Sequence, residues 1–466
     1  MDCGRWAVVG FKVVKLVSKS FLARMNWSTL LSSKRINQKL TAESQLSRSA
    51  FDQDYDRIIF SHPFRRLQDK TQVHPLPEQD FVHTRLTHSL EVSSVGRSLG
   101  KRVGEVVLQR HPELAGNFSL FDFGAIVAAA SLAHDLGNPP FGHAGEDAIS
   151  DFFKENPHGQ KFKARVSEAQ WQDLTKFEGN AQGFRLLNKN QYGLKLTYAS
   201  LGAFTKYPCP ALFPERDKKF RSQKKFGFFE SEKSIFTEIA TELGLIQTHS
   251  SSWKRHPLAF LVEAADDICY SIIDLEDGCS LGMVSYSDAK DLFEGVITKN
   301  KSKLGKLEQL QTLPEKIGFL RALAIGDLME ECTGLFLDHE NDILHGNFDQ
   351  ALADECSSKN ALKNIIDVSV EKIYRARTVV EIEATGHEVL PGLLEEFTKA
   401  GSWLIEKKSS RKYENLQKLI PEDISNAIMA SPENDYLMLR NIIDFISGMT
   451  DRHALSLYRK IKGISF

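Results

Sequence analysis

The sequence has no excess of either charge: 59 lysines and arginines face 61 aspartates and glutamates, leaving −2 with neutral histidines. Such a chain exerts no overall pull on a polyanion, so any site for phosphate or nucleic acid has to be local. Cysteine is sparse and dispersed. Cys3, Cys209, Cys269, Cys279, Cys332 and Cys356 contain no Cys-x-x-Cys pair. That speaks against a zinc ribbon or a disulfide scaffold and fits free thiols in a reducing cytoplasm. Long apolar runs are missing too. The stretch from Trp6 to Val17 is broken by Lys12 and Lys15 and no small-residue cleavage site follows, so neither a spanning helix nor a secretory signal, and no membrane partner, is expected. Ahead of the polar opening at Met25, residues 1–24 are expected to be an upstream extension that contributes little to the fold.

Internal repeats and low-complexity tracts are absent, and alternating strand patterns are scarce. Thr378 to Ile382 is the best strand candidate, with Tyr207 to Phe213 as an edge. Most of the chain reads as helix: Leu99 to Leu108, Ala125 to Leu136, Ala259 to Leu275, Ile317 to Leu337 and Ile365 to Tyr374 are buried or amphipathic. Prolines punctuate it at Pro139-Pro140, between Pro208 and Pro214, and at Pro257. The expected fold is all-α, with long functional loops and at most a small β-hairpin. Residues 25–290 would form the main core, and residues 291–466 a C-terminal helical region packed on it.

The basic stretch Lys218, Lys219, Arg221, Lys224 and Lys225 is interleaved with Phe220, Phe226, Phe228 and Phe229 and reads as a mobile loop. It has two readings. It can track and stack a single-stranded nucleic acid, or be a solvated loop whose phenylalanines tuck into the domain.

Chemistry concentrates in AAASLAHDLGNPPFGHAGE, residues 128–146. Small apolar residues predict a tightly packed helix ending near Gly137, with His134 and Asp135 at its end. Neighbours on a helix point about 100° apart, yet both side chains can reach one ion beside it. An imidazole and a carboxylate suit a borderline-to-hard divalent metal. A lone His-Asp pair is more often a plain helix end. Here His143 and Glu146 follow after a Gly-Asn-Pro-Pro turn, and burying four ionisable groups together without a task is expensive.

Two further segments supply complementary donors. His88 sits beside the apolar face of Leu86, Leu90 and Val95; alone it is more often an ordinary half-buried histidine. Asp266, Tyr270 and Asp274 recur every four residues and share one face of an otherwise apolar helix, a stripe that Asp267 does not join. His88, His134, Asp135 and Asp266 together offer four donors, which leaves an octahedral ion room for water.

The order H…HD…D is similar to that of HD-domain phosphohydrolases. Longer stretches resemble the deoxyguanosinetriphosphate triphosphohydrolase (dGTPase) branch of that superfamily: DRIIFSHPFRRLQDKTQV (56–73), HTRLTHSLEV (83–92), AHDLGNPPFGHAGE (133–146) and FEGNAQGFR (177–185). LTYASLGAFTKYP (196–208), KKFGFFESEK (224–233), EAADDICYSIIDLEDG (263–278) and ISGMTDRHAL (446–455) continue it.

The resemblance implies a metal site of His88, His134, Asp135 and Asp266, holding one Mn²⁺ or Mg²⁺, and a catalytic pair His143 and Glu146. It implies sugar or triphosphate contacts from Gln72, Arg85, Asn180, Lys206, Tyr207, Tyr270 and Asp274, and nucleotide contacts from Arg440 and Arg452. It also implies a dNTP substrate such as dGTP, a homo-oligomer of up to six copies, and a single-stranded DNA or nucleotide effector. The implied reaction is water attack at the α-phosphorus, releasing deoxynucleoside and intact triphosphate. Gln72 and Asp274 would hold the 3′-hydroxyl, and the Tyr270 ring would leave no room for a 2′-hydroxyl. Another HD-type nucleotide hydrolase, or a nucleotide-binding regulator, are the competing expectations.

Overall fold

A computed structural model describes residues 23–36, 48–72, 83–189, 193–406 and 410–464. Cys3 and the Trp6 to Val17 stretch lie outside the described residues. The described part is helical, and its one sheet among those residues is a two-stranded antiparallel hairpin of β1 (Gln247–His249) and β2 (Ser252–Trp253). The small hairpin of the sequence reading is therefore present, at a different place from either strand candidate.

Two helices set the geometry of the rest: α1 (Arg85–Arg110) and α2 (Leu120–Ala133). Thr84 starts α1 with a capping box shared with Thr87. Helix α2 is buried from Phe123 to Ala133 on every side, which its unbroken small and apolar run allows. The two pack almost backbone to backbone, because Gly96, Gly100 and Gly104 recur every four residues along α1. A Cβ on Gly100 would lie 2.7 Å from the Phe123 carbonyl oxygen, and one on Gly96 would lie 2.5 Å from Ser131 Oγ. Ser93 Oγ adds a 2.8 Å bond to the Ala128 carbonyl. Continued by two more steps of four, the glycine row passes Val92 and arrives at His88.

The remaining elements surround this pair. Among them, those that shape the site are α3 (Gly142–Glu155), α4 (Gly179–Asn188), α5 (Tyr198–Phe204), α6 (Pro257–Ser280), α7 (Leu313–Asp338), α8 (Arg377–Glu406), α9 (Asp435–Ser447) and α10 (Asp451–Lys462). They bury two hydrophobic clusters. The first gathers α1, α2, α5, α6 and α7. The second is built by α3, α8, α9 and α10, with Phe152, Phe153, Leu390, Leu393 and Phe397 fully enclosed. Helix α4 serves both, giving Phe184 and Leu187 to one and Ala181 to the other.

Three expectations need correction. Thr378 to Ile382 is not a strand but the first turns of α8. Its β-branched residues suggested extended chain, but the apolar positions recur at helical spacing from Val379 to Ala400 and pack on α3 and α9. Tyr207 to Phe213 forms only an isolated bridge between Pro210 and Phe228. The helix expected to end near Gly137 ends at Ala133.

The basic stretch is a packed wall. Phe226, Phe228 and Phe229 are buried, and Arg221 is tied to Glu263 and Asp354. Those three rings are therefore not free to stack bases in this arrangement, and Phe220 alone is exposed. The described cysteines are free and buried, and Cys332 and Cys356, distant in sequence, bring their sulfurs to 3.7 Å. Among the described residues no helix is long and apolar enough to cross a membrane.

The glycine row gives a direct test. Gly100→Ala forces its methyl into the α2 backbone and should lower stability by about 1–3 kcal/mol. Gly334→Ala, in α7 where nothing lies within 4 Å of the added carbon, should raise it by up to about 1 kcal/mol. Urea denaturation of the two variants reads both signs. Equal shifts in the same direction would mean that the row does not set the packing.

Candidate metal centre and active-site cavity

The close approach of α1 and α2 places His88 and His134 face to edge, with ring centroids 5.3 Å apart. Both are buried. His134 Nδ1 lies 2.7 Å from the Ser131 carbonyl oxygen; a hydrogen donated there fixes the tautomer and leaves Nε2 free to ligate. Asp266 arrives from α6, with Oδ1 at 3.4 Å from Nε2 of both histidines. These three side chains form a cluster of metal-ligating type. Asp135 lies beside it, Oδ1 at 3.5 Å from His134 Nε2, and is oriented by Arg85 Nη1 at 2.8 Å and Asn138 Nδ2 at 2.6 Å.

The donor set fits a divalent cation. Lys206 Nζ donates to the outer oxygen of Asp266 at 2.6 Å, leaving Oδ1 toward the histidines. Burial alone would raise both aspartates. Lys206 and the two histidines outweigh it for Asp266 and hold that carboxyl well below its usual value. His134 and Arg85 do the same for Asp135. Burial pushes His134 below its ordinary value, which suits a neutral ligand. His88 is raised despite burial, through its bond to Asp266 and the surrounding carboxylates, so this point favours positive charge.

The cluster opens into a cavity of about 450 Å³. His143 stands at its edge, on the first turn of α3, with 80% of its side chain exposed. Its Nδ1 is 2.9 Å from Glu146 Oε2, and Glu146 Oε1 accepts the Gly179 amide at 2.6 Å. The bond to Glu146 raises the His143 pKa. Burial would raise Glu146, but His143 and Lys225 hold it below its usual value. The turn between the metal cluster and His143 fits because Gly137 has no side chain: a Cβ there would lie 2.0 Å from the Gly179 carbonyl oxygen.

The other expected residues divide into two groups. Gln72, Arg85, Asn180, Lys206, Tyr207 and Tyr270 line the cavity. Gln72 Oε1 is buried without a partner. Tyr270 is 36% exposed and stacks on Tyr374, centroids 5.7 Å apart. Asp274 is buried behind these rings, outside the lining; it accepts the Tyr374 hydroxyl at 2.5 Å, and burial pushes it up to about 7. Arg440 and Arg452 are not in the lining either. Arg440 is fully buried, its guanidinium 3.5 Å over the Phe229 ring with Nη2 on Gln182, and Arg452 is exposed and paired with Asp69.

Several lining residues were not anticipated. Lys225 turns from the basic stretch into the cavity, its Nζ 3.3 Å from Glu178. Tyr374, Val379, Ile382 and Glu383 come from the C-terminal half. Reading 378–382 as a strand hid the face of α8 on which the last three lie. Only the longer apolar spacing through Leu394 would have revealed it.

Comparison with known proteins agrees with this geometry. The chain matches the HD domain family over residues 85–174 and the phosphohydrolase-associated domain over 355–460. It is similar to a deoxyguanosinetriphosphate triphosphohydrolase-like protein of Synechocystis sp., 43% identical over 453 residues, covering 95% of this chain and 100% of the relative. A protein of the same description from Pseudomonas aeruginosa is 38% identical over 455 residues, 95% of this chain and 99% of the relative. The deoxyguanosinetriphosphate triphosphohydrolase of Salmonella enteritidis is 31% identical over 514 residues, 96% of this chain and 100% of the relative.

The metal assignment separates two adjacent carboxylates. Asp266→Asn should abolish stoichiometric Mn²⁺ binding in calorimetry. Asp267→Asn, whose carboxylate faces Arg221 instead, should retain it. The reverse pattern would move the ligand to Asp267.

Proposed function

Because this chain belongs to the deoxyguanosinetriphosphate triphosphohydrolase-like family of HD-domain proteins, we propose that it hydrolyses a deoxynucleoside triphosphate, dGTP foremost, to deoxynucleoside and inorganic triphosphate. What supports the reading is one juxtaposition. The His88–His134–Asp266 cluster, His143 with Glu146 bonded behind it, and three cationic side chains meet at a single cavity.

His88, His134, Asp135 and Asp266 would hold one Mn²⁺ or Mg²⁺. Bound there, the ion would polarise a phosphoryl oxygen and lower the pKa of a coordinated water. The rest is the work of the chain. A dNTP brings about four negative charges, and Arg85, Lys206 and Lys225 offset them in a partly desolvated site. His143, protonated and hydrogen-bonded to Glu146, delivers a proton to the departing 5′-oxygen as the bond to the α-phosphorus breaks. Asn180, at the start of α4, is turned by Glu178 and would hold a phosphate oxygen, with Tyr207 beside it.

Sugar selection rests on Tyr270, one helical turn from Asp266. Its ring, backed by Tyr374, would press on C2′ and leave a ribose hydroxyl without a partner. Gln72, with its unpaired amide oxygen, would accept the 3′-hydroxyl. Asp274 contributes by holding the Tyr374 hydroxyl, which stands between it and the cavity.

Product analysis tests the reading. With Mn²⁺ and dGTP the protein should release deoxyguanosine and intact triphosphate, and leave GTP untouched. Phosphate or pyrophosphate as product would place it with another HD-type hydrolase, and no turnover of any dNTP would favour a binding regulator. His143→Ala should lose on the order of 10²–10⁴-fold in kcat.

The pH profile carries a sign. His143 must be protonated to act, and its bond to Glu146 extends the protonated form to higher pH. Glu146→Gln should therefore move the alkaline limb of kcat to lower pH. A limb that stays in place would remove His143 from the role of acid.

A further inference from the structure

The carboxylate of Asp451, at the start of α10, is 2% exposed and touches two cavity-lining segments at once. Oδ1 accepts the Phe141 amide at 3.1 Å. Oδ2 accepts both the amide and the hydroxyl of Thr71, at 3.0 and 2.6 Å. Phe141 immediately precedes Gly142 and His143, and Thr71 immediately precedes Gln72. A single side chain from the last helix thus spans the wall that carries His143 and the wall that carries Gln72.

The Phe141 bond matters because of the backbone there. Phe141 has φ +66° and ψ +18°, a left-handed conformation rare for a bulky residue, and Gly142 follows with φ +60°. Such a residue keeps this conformation only when its surroundings over-determine it. Packing supplies one constraint, since the Phe141 ring lies against Gly386 of α8, where a Cβ would come within 2.9 Å. Asp451 supplies the other by fixing the amide. The turn then launches α3, whose first residues include His143.

The same corner carries further ties. Lys70 Nζ donates to the Asn138 carbonyl at 2.5 Å and to the Ser447 carbonyl at 2.9 Å, and Arg66 Nη1 donates to the Gly448 carbonyl at 3.0 Å. Those lash the 66–71 segment to the C-terminal turn. Asp451 differs from them in bonding directly to a cavity-lining residue on each side.

We propose that Asp451 is a positioning residue: it sets the distance between the proton-donating pair His143–Glu146 and the Gln72 side of the cavity. It does so by holding the left-handed turn at Phe141 and the Thr71 backbone on one carboxylate. This rests on the proposed role of His143, whose bond to Glu146 lies within α3 itself. The metal cluster lies on α1, the end of α2 and α6, and among the described residues the bonds of Asp451 go to Thr71 and Phe141 instead.

Asp451→Asn keeps the shape but leaves one amide facing an N–H in place of an acceptor. A displacement of about 1 Å at a reacting group is worth up to about 100-fold in rate, so kcat should fall on the order of 30-fold. KM for dGTP should stay within about threefold, a split expected when only productive alignment is lost. Bound Mn²⁺ per chain should be unchanged, and so should the pH of the alkaline limb. The reference is a core variant matched to it in Tm, such as Val103→Ala, which should keep wild-type kcat below its melting temperature.

Unchanged kcat in Asp451→Asn overturns the proposal, and so does loss of Mn²⁺, or a fall that the matched core variant shares. Should Asp451→Asn fail to fold, Thr71→Val removes only the hydroxyl bond and should show the same split at three- to fivefold; wild-type kcat there overturns the proposal equally. His143→Ala separates the two readings. Wild-type turnover in it defeats the proton donor, and Asp451 with it. An inactive His143→Ala beside a wild-type Asp451→Asn defeats the positioning role alone.

Discussion

The site depends on how closely α1 lies on α2. Every glycine in the α1 row costs about 0.5–1 kcal/mol relative to alanine in a helix interior, so the row is stabilising only because the contact it permits could not otherwise form. In return the two backbones meet, and the fourfold spacing carries the contact from Gly104 down to His88. On the facing helix the apolar run ends where α2 ends, and the first polar side chain beyond it is His134. Two imidazoles that are 46 residues apart in the chain are thereby brought edge to face. The Ser131 carbonyl satisfies the second nitrogen of His134, so that nitrogen is not left orphaned by burial.

Charge in the cavity is sorted by partner. Asp135 and Asp266, each beside a buried cation, stay ionised. Asp267, 3.7 Å from an Arg221 that Glu263 and Asp354 share, and Asp274 are not held down in the same way. Burial and the charge of Glu263 push Asp267 up to about 7, and burial does the same for Asp274. Negative charge is therefore concentrated at the two carboxylates nearest the histidines and diluted along the rest of the α6 stripe. Such focusing favours a cation at one point and limits the repulsion that a triphosphate would meet elsewhere in the cavity. Lys225 continues the pattern toward His143, where it lies among Glu146 and Glu178.

Much of this was legible in the sequence where spacing alone fixes geometry. The Asp266–Tyr270–Asp274 stripe is a consequence of helical periodicity. Its course from exposed Tyr270 to buried Asp274 is not, because that depends on Tyr374 from a segment 100 residues away. The HD pair with His143 and Glu146 was readable as a crowded polar turn in an apolar context. What was missed came from long-range packing. A five-residue window at Thr378 favoured β-branched extended chain, while the helix that forms there is stabilised by contacts with α3 and α9 outside any local window. Lys225 looked like one of a solvated run until three neighbouring phenylalanines were seen to anchor it in both cores. The glycine row of α1 was visible as i, i+4, i+8 and its meaning was not, since a glycine's neighbour is never written in its own sequence.

The two cores explain why the cavity needs polar ties at its rim. The metal cluster sits on helices of the first core, and His143 on a helix of the second. Dispersion and burial hold each core together but are indifferent to small sliding of one over the other, because apolar contacts are non-directional. A reaction that needs two groups at a fixed separation is not indifferent to it. Directional bonds occur at the seam. Gly179 on α4, the helix shared by both cores, donates to Glu146. Arg185, on the same helix, is bound between Glu232 and Asp444. Lys70 and Asp451 close the opposite side. Buried and charge-assisted, these bonds add less to stability than to register, since desolvating ions offsets much of their attraction. Their placement on both sides of the cavity is what a site divided between two cores requires.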